Sequence, residues 1–286
     1  MENPAQSAPR TPLDNVTALV TVYHKVPAKQ LDECLNSLWE QTRPPAHVVL
    51  VEDGVLGEEL ERTVVKHERA HENLTVIRCA ANRGSGLASR EGMAQVHTEW
   101  VARLDADDIA RADRLEKQCA LAAQREQEGR PLDVIGTALA EFEGSPEQIV
   151  QVRTLPQTHA ELANYVKINS PINNPSVLLR VSAVERAGGY RHVQLMEDYD
   201  LYARLMATGA RFENMPEPLT LFRADGMFDR RTSKGIVSGE LAMQKSLVEL
   251  GLVSRPRAAA NFVARTAFRL LPVNVMSKAY KRLFVR

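Results

Sequence analysis

Cysteine is scarce in this chain. Its three cysteines, Cys34, Cys79 and Cys119, stand far apart and are odd in number. Such spacing offers no CxxC or Cys/His zinc pattern and no disulfide framework, so the plain reading is buried free thiols in a reducing cytosol. Net charge is missing as well: 36 Lys and Arg balance 36 Asp and Glu. That balance removes the global electrostatic case for nucleic-acid binding. No run approaches the ~20 apolar residues of a membrane-spanning helix. The stretch from Met1 to Asn15 is polar, holds Pro4, Pro9 and Pro12, and has no signal-type apolar core. It reads as a flexible leader, and the protein as neither secreted by that route nor membrane-spanning. No Gly-x-Gly-x-x-Gly follows the first apolar run, which argues against a nicotinamide site. The histidines lack metal spacing, and most read as surface residues.

What is present is an ordinary soluble composition, 44% hydrophobic and 25% charged over 286 residues. That length can bury one elaborated α/β domain. Apolar, β-branched runs predict strands at Val16–Tyr23, Val48–Val51, Leu74–Ile77 and Trp100–Leu104. Helical spacing of apolar residues predicts helices over 29–41, 58–70, 87–96 and 111–127. The second half is less regular. It predicts strands at 133–136 and 175–179, helices over 161–168, 181–187 and 197–208, and a solvated loop over 222–231. Strand and helix alternate in the first half, which implies a mostly parallel central sheet with helices on both faces. Ligands of such sheets bind beyond the carboxyl ends of the strands. Tyr23, Asp53, Asn82 and Asp105 all fall just past predicted strand ends.

The stretch Leu104-Asp105-Ala106-Asp107-Asp108 carries the most chemistry. Carboxylates at i and i+2 at a strand's end can project to one side. Oxygen ligands suit a hard cation, Mg²⁺ or Mn²⁺, which keeps room for waters and substrate phosphates. The plain alternative is a solvated turn capping the next helix, a role open to Asp108 and Asp113. A second acidic cluster, Glu197-Asp198-Tyr199-Asp200, is either a first helical turn stabilised by the macrodipole or a source of a general base. Together the clusters suggest a metal-dependent transferase acting on a nucleotide-linked substrate.

Several ordered pieces resemble the family 2 glycosyltransferases, whose fold is GT-A. Val20-Thr21-Val22-Tyr23 is similar to the family's first strand, and Leu35 to Thr42 to its Leu-x-Ser-Leu-x-x-Gln-Thr helix end. Val49 to Gly54 resembles Val-Asp-Asp-Gly, and Asn82-Arg83-Gly84 with Arg90 resembles the Asn-x-Gly and Ala-Arg-Asn elements. Leu104 to Asp108 matches Leu-Asp-x-Asp-Asp, followed by Arg114 to Gln118. Gly188-Gly189-Tyr190 and Glu197 to Leu201 resemble Gly-Gly-Tyr and Glu-Asp-x-Asp-Leu. The resemblance covers Val16 to Arg231. It implies a Rossmann-like GT-A domain over 16–235, with a nucleotide-sugar half at 16–110 and an acceptor half at 111–235. It implies transfer of a sugar, with inversion, from a nucleotide-sugar, by family habit a UDP-sugar, to an acceptor hydroxyl.

Carried over residue by residue, Asp105 and Asp107 hold the cation and donor diphosphate, with Ala106 between them at the donor. Tyr23 and Asp53 line the base and ribose pocket, with Glu52 nearby. Asp198 deprotonates the acceptor. Asn82 and Arg83 approach phosphate or ribose, or form a plain turn. Arg90 is a donor contact or a structural ion-pair partner. Arg223, Arg230 or Arg231 meets phosphates from a closing loop. The departures are His24 for Asn, Glu52 for the first Asp of Val-Asp-Asp-Gly, Val55 after Gly54, and Asn174 where histidine is common.

The basic tail, 236–286, reads as amphipathic helix broken in two at Pro272, and has no Asp or Glu from Arg255 onward. It packs on the core, on a second copy in a homodimer, or on an anionic inner leaflet, and the lack of acids favours the membrane surface. The expected partners are a nucleotide-sugar and a glycan or lipid-linked acceptor, at a cytoplasmic location. Two other readings stand beside this one: a sugar nucleotidyltransferase, and a non-catalytic nucleotide-binding subunit of the same fold.

Overall fold

The computed structural model describes residues 13–225 and 235–269. The leader up to Pro12, Arg230, Arg231 and the tail beyond Arg269, with its Pro272, lie outside the described residues.

In the first half, β1 (Leu13–Val22), β2 (Pro45–Glu52), β3 (Leu74–Arg78) and β4 (Trp100–Asp105) alternate with α1 (Ala28–Trp39), α2 (Glu58–Ala70) and α3 (Ser85–Met93). These strands pair in parallel in the order β3-β2-β1-β4. Alternation along β1 and β2 sorts the core into two layers. Ala18, Val20 and Leu50 pack with Leu31, Leu35, Leu38 and Val64 of α1 and α2. Leu19, Val49 and Val51 face Ala88 of α3 and, beyond it, Leu201 and Leu205. Gly92 lets α3 lie close on the sheet, since a Cβ there would sit 2.3 Å from Leu19 Cδ1. β1 begins at Leu13, which is buried and donates to the Pro44 carbonyl at 2.8 Å. The last three leader residues therefore belong to the sheet.

The second half contains β5 (Ile109–Ala110), α4 (Arg114–Gln127), β6 (Val134–Phe142), β7 (Ile149–Arg153), α5 (His159–Tyr165), β8 (Leu178–Arg180), α6 (Val181–Arg186), α7 (Glu197–Ala207) and β9 (Phe212–Arg223). The sheet continues past β4 as β8-β6-β9-β5, with β7 on β6. Here β8 runs antiparallel to β4 and β6, while β6 and β9 are parallel. The mostly parallel character expected of the sheet thus resides in the first four strands and in the β6–β9 pair. Asn174–Ser176 forms a 3₁₀ turn before β8, where a strand was expected from Pro175. β9 replaces part of an expected loop, and Phe222 and Arg223 are its last residues. Its Pro216 and Pro218 cannot donate to a ladder, and the β6–β9 register shifts beside them, between Thr137 and Leu139.

Two further helices, α8 (Ile236–Glu249) and α9 (Arg255–Arg269), pack on one another, and α8 packs on α7. Met243 and Leu247 join Val166, Tyr199 and Ala203 in a separate core cluster. Fully buried Glu240 takes the Arg265 guanidinium at 2.8 Å on both oxygens. Asn261 donates to the Lys167 carbonyl at 2.8 Å. The described part of the tail is therefore docked on the domain. Among the described residues no helix is long and apolar enough to cross a membrane. The histidines depart from expectation at His67, which is buried with Nε2 2.7 Å from Asp32 Oδ1. All three cysteines are free thiols, and only Cys34 is fully buried.

Candidate active site

The site begins at the end of β4, where a charge sits inside an apolar strand. Arg103 is fully buried; its Nη1 donates to the Leu19 carbonyl at 3.2 Å and its Nη2 lies 3.5 Å from Asp105 Oδ1. Asp105 then opens a tight turn closed by Asp108 N–H donating to the Asp105 carbonyl at 3.0 Å. A second buried arginine, Arg114, ties this strand end to the 3₁₀ turn. It donates to the carbonyls of Arg103 (2.7 Å) and Pro175 (3.0 Å), and burial lowers its pKa to about 10. The turn presents Asn174, whose Nδ2 lies 3.4 Å from Asp105 Oδ1 while its Oδ1 accepts from the Tyr202 hydroxyl at 2.9 Å. Asn174 thus fills the place of the family's histidine with a neutral amide directed at the first carboxylate.

Asp108 plays a different part from its neighbours. It is fully buried, its Oδ1 accepts the Arg223 backbone N–H at 2.8 Å, and desolvation with Asp107 and Asp105 nearby pushes its pKa well up. Arg223 lines the cavity, but its guanidinium is engaged: Nε donates to the Asp107 carbonyl (3.1 Å) and Nη2 to Glu33 (2.8 Å). It braces the acidic turn.

Beside this turn lies a cavity of about 970 Å³, of the size that takes a small-molecule ligand. Tyr23, Arg103, Asp105, Ala106, Asp107 and Asn174 line one part of it. Tyr190, Glu197 and Asp198 line another. Leu195 also lines the cavity and, at φ 61°, is the only non-glycine with positive φ among the described residues. Such a conformation costs of order 1 kcal/mol and tends to gather at functional sites. Asp198 Oδ1 accepts from the Tyr199 N–H at 2.7 Å. Burial, with Asp105 adding to it, raises Asp198 to about 6, and burial beside Asp198 raises Glu197 to about 7. Asp200 turns away: it is buried against Arg204 (2.8 Å) and Ser246 (2.9 Å).

The remaining sequence-predicted residues form a separate group at the end of β2. Asp53 is buried and accepts the backbone N–H groups of Arg83 (2.7 Å) and Gly84 (2.9 Å); Asn82 Nδ2 donates to its carbonyl at 3.1 Å. Gly54, at φ 89°, allows the approach, since a Cβ there would stand 2.6 Å from Asn82 N. Glu52 is buried 3.4 Å from Arg78, and desolvation raises it to about 7. Arg83 is exposed and pairs with Glu91 at 2.8 Å. Arg90 is exposed on α3. None of these five side chains lines the cavity that holds Asp105 and Asp198.

Sequence reasoning passed over Arg103, Arg114, Tyr202 and Glu33. Arg103 had a visible signal, a cation between Ala102 and Leu104 in a buried run. Glu33 had none, because its partner Arg223 lies far along the chain. Among the described residues no group of three or more His, Cys, Asp or Glu side chains could hold a metal ion. A cation would therefore rest on the Asp105 and Asp107 carboxylates. Two hard oxygens fit an ion that takes its other ligands from a diphosphate and water.

The sheet, the carboxylates at its carboxyl end and the facing acidic helix have the form of a GT-A glycosyltransferase. Residues 17–181 match the family described as glycosyl transferase family 2, and the chain belongs to it, which makes it a glycosyltransferase. It is 34% identical to an uncharacterized glycosyltransferase of Haemophilus influenzae, over 93% of this chain and 97% of that one. It is 30% identical to the amylovoran biosynthesis glycosyltransferase AmsE of Erwinia amylovora (93% and 98% covered). It is 28% identical to the Escherichia coli UDP-Gal:alpha-D-GlcNAc-diphosphoundecaprenol beta-1,3-galactosyltransferase (94% and 96% covered). Among solved structures, S. aureus TarS 1-349 in complex with UDP-GlcNAc superposes with a TM-score of 0.67 at 18% identity, over 92% of this chain and 75% of that one.

Proposed function

We propose that this chain transfers a sugar, with inversion, from a nucleotide-sugar to an acceptor hydroxyl in the building of a polysaccharide or lipid-linked oligosaccharide. The observation that carries the reading is one cavity lined both by Asp105 and Asp107 and by Asp198, a carboxylate raised to about 6. The acceptor oxygen bonds to the anomeric carbon as the carbon–oxygen bond to the diphosphate breaks. The acceptor proton passes to Asp198, and the electron pair leaves with the nucleoside diphosphate. Inversion needs a base on the face opposite the leaving group, and Asp198 supplies one where Asp200 is occupied by Arg204. Mn²⁺ or Mg²⁺ on Asp105 and Asp107 would neutralise charge on the departing diphosphate. Arg103 and Asn174 hold Asp105, and Arg223 holds the turn that carries Asp107.

UDP is the expected base carrier: the E. coli relative is named for UDP-Gal and the TarS structure holds UDP-GlcNAc. Tyr23 would cover the base, and Asp53 and Asn82 would shape the ribose-side loop. The acceptor side follows AmsE, named for amylovoran biosynthesis, and the E. coli relative, named for a diphosphoundecaprenol-linked sugar. An acid-free α9 supports a place at the cytosolic membrane face.

Asp198→Asn tests the reading. With UDP-sugars and a lipid-linked acceptor, kcat should fall 10²–10⁴-fold with nucleotide affinity kept. Lost nucleotide binding with turnover retained in whatever donor still binds would remove Asp198 from the role of base.

A further inference from the structure

The cavity extends in an arm beyond the carboxylates. Leu155, Ile168, Ile236, Ala264 and Phe268 also line it, together with Tyr165, Asn169, Ser170 and Arg265. Ile168 keeps 40% of its surface exposed there, an uncovered branched side chain in a cleft. α9, which supplies Ala264 and Phe268, carries Arg255, Arg257, Arg265 and Arg269 and no acid.

Arg153 stands between the two parts of the cavity. Its charge acts on Asp108 in the acidic turn and on Tyr165 in the arm. Its guanidinium lies 4.6 Å from the Phe222 ring centroid, with Nε 2.7 Å from Oε1 of fully buried Glu141. Nη2 is buried and has no hydrogen-bond partner among the described residues. A buried guanidinium N–H left without an acceptor is costly, and an anionic oxygen entering the cavity would satisfy it.

We propose that this arm binds the first isoprenoid units of a prenyl-diphosphate-linked sugar acceptor, with Arg153 meeting its diphosphate. The inference rests on the transferase reading above and names the acceptor class for that site. An apolar wall takes the prenyl chain, the Arg153 guanidinium takes the diphosphate, and the sugar that follows reaches Asp198 in the same cavity. The chemistry matches the diphosphoundecaprenol named for the E. coli relative. Exposed Arg255 and Arg257 of α9 suit the anionic bilayer from which such a lipid would be drawn.

The test is calorimetric binding to the full chain in EDTA, which removes cation-bridged diphosphate binding at Asp105 and Asp107. The probes are farnesyl diphosphate, inorganic pyrophosphate and farnesol. Farnesyl diphosphate should bind at least tenfold more tightly than either of the others. Ile168→Glu, at an exposed position, should weaken it at least tenfold. Arg153→Gln should reduce it to the level of farnesol; if that variant unfolds because Glu141 loses its cation, Ile168→Glu decides alone. Farnesyl diphosphate binding no better than pyrophosphate or farnesol, or equally well to Ile168→Glu, would overturn the proposal. UDP with Mn²⁺, titrated into the same samples, separates the two readings. Prenyl diphosphate binding without UDP binding would keep the arm and overturn the UDP-donor reading of the site, and UDP binding without prenyl diphosphate binding would do the opposite.

Discussion

A carboxylate that accepts a proton must first be ionised. Asp198, raised to about 6, is largely protonated at pH 5 and ionised at pH 7. The log of kcat/KM should therefore climb with pH and level off above about 6, and this limb should vanish in Asp198→Asn. A flat profile across that range in the parent would contradict a titrating base. Glu52 makes a second prediction, for stability. Its folded pKa of about 7 lies above the ordinary carboxyl value of 4.5, so the folded chain holds a proton that the unfolded chain releases between those values. Its stabilising share is thus complete below about 4.5 and lost as pH rises through 7. Urea midpoints at pH 5 and 7.5 should fall by the equivalent of roughly 1–3 kcal/mol, and Glu52→Gln should flatten the trend.

At the scale of elements, the clasp between α8 and α9 is the clearest lever. Breaking a buried ion pair from one side leaves an uncompensated charge, at about 3–5 kcal/mol. Arg265→Ala should cost a stability in that range, read from the urea midpoint, because Glu240 is fully buried. A loss below ~1 kcal/mol would mean that the helices undock freely. The same clasp explains one limit of the sequence. The lack of acids in the tail was visible, but Glu240 lies outside that stretch and is the residue that draws Arg265 inward. The first-half elements were legible because their apolar runs are long and each ends in a turn signal. β9 was not, because Pro216 and Pro218 argue against a strand and only a shifted register with β6 accommodates them. The bracing of the acidic turn was equally hidden. Asp105, Asp107 and Asp198 stood out by pattern, whereas Asn174, Arg223 and Glu33 act through contacts that span much of the chain.

For the molecule as a whole, both halves of the chain contribute to the lining of one cavity. The first brings Tyr23, Asp105 and Asp107, and the second brings Asp198, Asn174 and the arm beyond. A ligand that bridges them should stabilise the entire domain, by roughly 2.7 kcal/mol at 100 times its Kd. The direct measurement is thermal unfolding with UDP, GDP, dTDP and CDP, each with and without Mn²⁺, in the parent and in Asp107→Asn. Tm should rise with one nucleotide, UDP first, in a way that requires Mn²⁺ and is lost in Asp107→Asn. No rise with any nucleotide, or an equal rise in Asp107→Asn, would contradict a nucleotide-sugar site built on these carboxylates.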